Sequence, residues 1–151
     1  MPGLSEILTG QEEPKKTIVS TEDPNLDILP AGVAVPSPIN LLDSQAMTEL
    51  LKKLRGDYTT IILDSAPAFG MADSLVLCTK VDGVCLVVRT GKTLTEILEK
   101  TSGKIQILGA HLLGVVYNSG KEKRLDKSYG YGSVYAYTYE ARTDKPVPSV
   151  K

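Results

Sequence analysis

The sequence has no tryptophan, one phenylalanine, two cysteines and one histidine. So small a stock of sulfur and imidazole leaves no ligand set for a structural zinc site. His111 is therefore read as a structural or surface residue. Cys78 and Cys85 both lie in apolar surroundings and are read as two buried, reduced thiols. No apolar run approaches the ~20 residues that a membrane-spanning helix needs. The opening Met1-Pro2-Gly3-Leu4 lacks the apolar stretch of a secretory signal, so a cytoplasmic location is expected. A net charge of −1 supplies no bulk attraction for a polyanion, and no nucleic-acid partner is expected.

What the 151 residues do contain fits one soluble domain with its own core. Leu4, Ile7 and Leu8 follow the spacing of one helical face, and Gly10 can end that short helix. Residues 11–25 are polar, include Pro14 and Pro24, and read as loop. Leu26 to Leu29 reads as a short strand closed by Pro30 and Gly32. Two prolines make Val33 to Pro38 irregular. Ser44 reads as the N-cap of a helix whose Met47, Leu50, Leu51 and Leu54 share a face. Gly56 is its expected stop, with Lys52, Lys53 and Arg55 in the last turn.

Three apolar runs follow: Thr60-Ile61-Ile62-Leu63, Val84 to Val88, and Leu112 to Val116. They do not alternate polar with apolar, as expected of parallel strands buried on both faces. Helical segments at about Ala72 to Thr79 and Thr93 to Leu108 separate them. Strands alternating with helices predict an α/β fold, a mostly parallel sheet with flanking helices and right-handed crossovers. A boundary is expected at residue 118. Residues 119–151 read as a flexible tail in which five of the seven tyrosines fall between Tyr129 and Tyr139.

Ligands of open α/β sheets bind at the carboxyl ends of strands. Asp64 directly follows Ile61-Ile62-Leu63. A carboxylate there is the Walker B form, able to hold Mg²⁺ beside nucleotide phosphates; an Asp that only caps the next turn is the competing reading. Asn118 follows the third run and can offer donor and acceptor to a base edge, or it can be a turn residue before Ser119-Gly120. Gly91-Lys92-Thr93 invites a phosphate-loop reading. That loop needs glycine five positions before the Gly-Lys pair, and Leu86 stands there inside a strand. The variant with Lys-Gly-Gly ahead of Gly-Lys fails as well, because Val87, Val88 and Arg89 occupy those places. A strand-to-helix turn with Thr93 as N-cap is expected instead. Tyr135, Tyr137 and Tyr139, at alternate positions after Tyr129 and Tyr131, suit an edge strand with one aromatic face or a low-complexity tail.

Taken in order, these segments resemble one family. Gly3 to Gly10, Asn25 to Gly32, Pro38-Ile39-Asn40-Leu41-Leu42, Ile61 to Pro67, Asp73, Val81 to Arg89, Gly114 to Asn118 and the closing tyrosine cluster are similar to the bacterial tyrosine kinases of capsule and exopolysaccharide synthesis. Cell-division and partition ATPases share the Walker B form but not the tyrosine tail. The resemblance covers about Gly3 to Tyr139 and implies the C-terminal portion of a P-loop NTPase-like, three-layer kinase domain, incomplete on its N-terminal side. It implies ATP and Mg²⁺ as cofactors, Asp64 as catalytic metal ligand, and Asn118 near the adenine. Tyr129, Tyr131, Tyr135, Tyr137 and Tyr139 become phosphoacceptors. Implied partners are a membrane polysaccharide co-polymerase, other kinase copies and a missing ATP-binding segment. The implied place is the cytoplasm, peripheral to the inner face of the plasma membrane. The family's phosphate loop lies ahead of the Gly-Leu-Ser segment, so this chain by itself is expected to be inactive. The alternatives are a non-catalytic interaction or substrate protein phosphorylated on its tail, and a remnant of a partition-type ATPase.

Overall fold

The computed structural model describes residues 1–118; the tail tyrosines and the tail's expected flexibility lie outside them. The chain opens with α1 (Leu4–Leu8), then α2 (Pro14–Thr17), β1 (Val19–Ser20) and β2 (Asp27–Ile28). The helices α3 (Pro38–Leu42), α4 (Gln45–Asp57) and α5 (Ala72–Cys78) follow. Then come β3 (Val84–Arg89), α6 (Thr95–Ile107) and β4 (Leu112–Asn118).

Residues 11–25 are not all loop. Pro14 at the first helical position presets φ for α2, and β1 pairs antiparallel with β2. The strand expected at Leu26–Leu29 shortens to Asp27–Ile28.

α4 carries the main core. Ser44 caps it, its Oγ accepting from the Met47 backbone N–H at 3.2 Å and donating to the Leu41 carbonyl at 2.7 Å. Met47, Leu50, Leu51 and Leu54 are buried on one side and cluster with Leu8 of α1. Each such burial stabilises by about 1.5–3 kcal/mol. The helix runs through Gly56 to Asp57 rather than stopping at the glycine. Tyr58 then donates to Asp27 Oδ2 at 2.7 Å, tying the helix end to β2.

β3 and β4 pair in parallel, joined through α6, which lies against β4. This is the α/β arrangement with a parallel sheet and flanking helices that the alternating pattern predicts. Two expectations about the strands change. Residues 60–63 form no strand among the described residues. Ile61 and Leu63 pack on the α4 core while Ile62 is 87% exposed. Nor are β3 and β4 buried on both faces. Val88 is buried, yet its chain neighbour Val87 and the register partner of Val87, Val116, are exposed. A continuous apolar run signals two covered faces only when both covering layers are present; here one face is bare. Cys85 lies on that face and is exposed, against the expectation of two buried thiols, whereas Cys78 is buried.

Candidate functional site

β3 and β4 run in the same direction, so their carboxyl ends meet at one edge. There Arg89 registers with Asn118, and the Thr90 backbone N–H donates to the Asn118 carbonyl at 3.3 Å. Asn118 is thus a strand-end residue with an exposed side chain.

The Gly91-Lys92-Thr93 segment is a tight turn between β3 and α6. Gly91 adopts φ +71°, which suits a residue without Cβ. The backbone N–H groups of Lys92 and Thr93 both return to the Arg89 carbonyl. Thr93 is not the N-cap of α6; Leu94 holds that position. The Thr93 hydroxyl instead accepts from the Arg89 backbone N–H at 3.0 Å, closing the turn on itself.

Asp64 follows the apolar stretch 60–63 and is exposed. Behind it, residues 65–71 are held at two points. The Ser74 hydroxyl, buried in the first turn of α5, donates to the Ala66 carbonyl. Lys104 of α6 places its Nζ 6.0 Å from the centre of the Phe69 ring, a cation–π contact. Sequence reasoning passed over Ser74 and Lys104. A serine early in a helix is a recognisable backbone-binding signal, but nothing in the sequence marks Ala66 as its partner.

Asn118 thus stands at the end of a strand and Asp64 at the end of an apolar run outside any strand, and no hydrogen bond joins them among the described residues. Among the described residues, no group of three or more His, Cys, Asp or Glu side chains gathers to hold a metal. A lone exposed carboxylate suits Mg²⁺, which commonly takes one or two carboxylates and completes its shell with water and phosphate oxygens. Two surface grooves, lined by Thr48, Lys52, Arg55 and Lys80 and by Lys15, Asp27, Lys53 and Tyr58 among others, include neither residue. In the first groove Lys80 and Arg55 are already paired with Asp43 and Asp82. Among the described residues, no helix is long and apolar enough to cross a membrane.

A second feature escaped the sequence. Glu6, in α1, is buried. Its carboxylate accepts from the Gly3 backbone N–H at 2.6 Å, from the Ser5 hydroxyl at 3.1 Å and from the Val33 backbone N–H at 3.2 Å. Burial pushes this carboxyl up, but those donors outweigh it and hold it below the usual carboxylate range. The free N–H groups of Leu4 and Ser5 at the start of α1 donate to the carbonyls of Pro30 and Ala31. The loop after β2 and the first helix thus interlock.

No protein-family model matches the chain. In sequence it is similar to the tyrosine-protein kinase YwqD of Bacillus subtilis, 31% identical over 129 residues, covering 85% of this chain and 54% of that protein. It is also similar to the tyrosine-protein kinase CpsD of Streptococcus pneumoniae, 30% identical over 135 residues, covering 89% of this chain and 57% of that one. The crystal structure of the VpsO kinase domain superposes with a TM-score of 0.75 and 34% identity, over 79% of this chain and 59% of the other. The chain spans about half the length of these curated relatives.

Proposed function

Because the chain belongs to the family of bacterial tyrosine-protein kinases, we propose that it is the C-terminal part of an ATP-dependent protein-tyrosine autokinase regulating capsule or exopolysaccharide synthesis and export. The observation that carries this reading is the acidic end of an apolar run, Asp64, in a chain whose parallel β3–β4 pair presents its carboxyl edge. That is where an α/β sheet receives a nucleotide.

In this reading Asp64 is the catalytic and metal residue, binding Mg²⁺ directly or through water. Asn118 contacts the adenine. The tail tyrosines Tyr129, Tyr131, Tyr135, Tyr137 and Tyr139 accept phosphoryl groups. Mg-ATP, when bound, supplies the transferable γ-phosphoryl group and neutralises its charge. The chain's own task is to place Asp64 rigidly, and the Ser74 and Lys104 contacts behind it support that placement.

Phosphoryl transfer works by positioning and charge stabilisation, so it requires a cradle for the phosphates. The 151 residues hold no Gly-x-x-x-x-Gly-Lys-Ser/Thr loop. The chain alone is therefore inactive, and activity requires a phosphate-binding segment. Neighbouring copies exchange tails, and a membrane polysaccharide co-polymerase holds the assembly at the inner face of the plasma membrane. Each modified tyrosine adds roughly −1.5 to −2 charge to a tail that also carries Lys121, Lys123, Arg124 and Lys127. Attraction there would turn to repulsion.

The test is incubation with Mg-ATP followed by phosphotyrosine detection. The chain alone is expected to give no signal. With an active full-length kinase of the same family, the tail tyrosines are expected to be modified. Robust phosphorylation by the chain alone overturns the inactivity; tyrosines left unmodified by the full-length kinase overturn the phosphoacceptor assignment.

A further inference from the structure

The polar side of α4 carries a groove that the kinase reading leaves unused. Thr48, Lys52 and Arg55 recur every three or four residues, so they stand in one row along the helix. Thr79 and Lys80, just past α5, and the buried Leu51 complete the lining. The groove measures about 400 Å³, and none of its lining residues is acidic. The hydroxyls of Thr48 and Thr79 donate to the carbonyls of Ser44 and Val76. Three cations are left to receive a ligand. Lys52 has no ion partner among the described residues. Lys80 is sheltered, its side chain only 15% exposed, and poor hydration strengthens its pull on an anion. Two carboxylates reach in from the rim. Asp82 Oδ1 lies 2.8 Å from Arg55 Nη2, and Asp43 Oδ1 lies 3.3 Å from Lys80 Nζ. They mark where anionic oxygens fit. Their own side chains are 86% and 70% exposed, and such exposed pairs exchange readily.

We propose that this groove binds phosphotyrosine, and that its occupant is the phosphorylated tyrosine tail of a second copy of this chain. The choice of the tail rests on the kinase reading above. An aryl phosphate brings roughly −1.5 to −2 charge and three acceptor oxygens. Arg55 offers a planar fork that matches phosphate, and Lys52 and Lys80 add point charges. The dianion displaces the single charges of Asp43 and Asp82. The aliphatic stems of Lys52 and Lys80 supply apolar surface for the ring. The occupant follows from charge and sequence. Five tyrosines crowd between Tyr129 and Tyr139, behind Lys121, Lys123, Arg124 and Lys127. Unmodified, that segment is mildly cationic, and a groove of three cations repels it. Phosphorylated, it is anionic and drawn in. Toward this groove the modification therefore turns repulsion into attraction, and docking is conditional on it.

The experiment adds the full chain to a fluorescent synthetic peptide of residues 131–142, phosphorylated at Tyr135, Tyr137 and Tyr139. No kinase or nucleotide is present, so the readout is independent of catalysis. The peptide's anisotropy is expected to rise, and that of its unphosphorylated twin to stay flat. Lys52→Ala and Arg55→Ala are each expected to weaken binding about tenfold. Lys53→Ala removes the same charge one position along α4 but from the other groove, and is expected to leave the affinity unchanged. All three positions are exposed, and Lys52 makes no ion pair among the described residues, so its removal leaves the circular dichroism of the chain intact. Absence of binding overturns the proposal, as does equal binding of the unphosphorylated peptide. So does a loss with Lys53→Ala that matches Lys52→Ala, which would be unspecific attraction. Displacement of the peptide by inorganic phosphate at equal concentration would show a bare anion site and overturn the tail as occupant. Tail tyrosines left unmodified by a full-length kinase would sink the kinase reading, while a bound phosphopeptide leaves the groove standing. Modified tyrosines without phosphopeptide binding would do the reverse.

Discussion

At the level of single residues, the Glu6 carboxylate joins two segments that lie 27 positions apart, through its contact with the Val33 backbone. Its pKa is lowered, so the stabilisation it gives is present above the usual carboxylate range and lost as pH falls through the lowered value. Glu6→Gln is expected to melt below the parent chain at neutral pH, and the gap should close on acidification. Thermal melts by circular dichroism across that range check this; a gap constant with pH would mean that the charge contributes nothing. Gly3 lies against the same junction. A Cβ there would run into the backbone of Gly32 and Pro30, so Gly3→Ala is expected to cost about 2 kcal/mol or more in chemical denaturation. A neutral Gly3→Ala would show that the junction yields.

Among the elements, α4 is the one whose loss should matter most. Leu50→Ala is expected to cost about 2–5 kcal/mol, and Ser44→Ala about 1 kcal/mol through the lost cap. Urea titrations of both variants test the ranking. α4 was also the element most legible beforehand, because its cap, its apolar spacing and its basic last turn all agree locally. The alternation of β3, α6 and β4 was equally plain. What the sequence did not disclose depends on distant partners. An apolar run such as 60–63 becomes a strand only when another strand lies beside it, and no local pattern reports that neighbour. For the same reason Val87 and Cys85 read as interior. Asp64 and Asn118 are legible in the sequence only as residues that follow apolar runs; Asn118 ends β4, whereas Asp64 follows a run that joins no strand among the described residues. The Ser74 and Lys104 contacts that steady the loop behind Asp64 join residues 8 and 35 positions apart, counting from Ala66 and Phe69. Spacing alone could not pair them.

Over the whole molecule, the balance between covered and bare surface governs behaviour in solution. Ile62, Val87, Leu113 and Tyr117 are each more than 60% exposed. The isolated chain is expected to bind the dye ANS and to self-associate with rising concentration. Val87→Glu combined with Val116→Glu should reduce both effects. Dye fluorescence and light scattering measure them, and a chain that stays dark and monomeric would contradict the bare face.

The two sulfurs divide the molecule along that same line. Burial raises the Cys78 thiol above its usual pKa and leaves little thiolate to react, while Cys85 stands open on the uncovered strands. A colorimetric sulfhydryl assay should therefore count one group in the native chain and two after denaturation. Storage in air without a reductant would crosslink pairs of chains through Cys85, and a preparation that looks dimeric on a non-reducing gel would be recording oxidation rather than assembly.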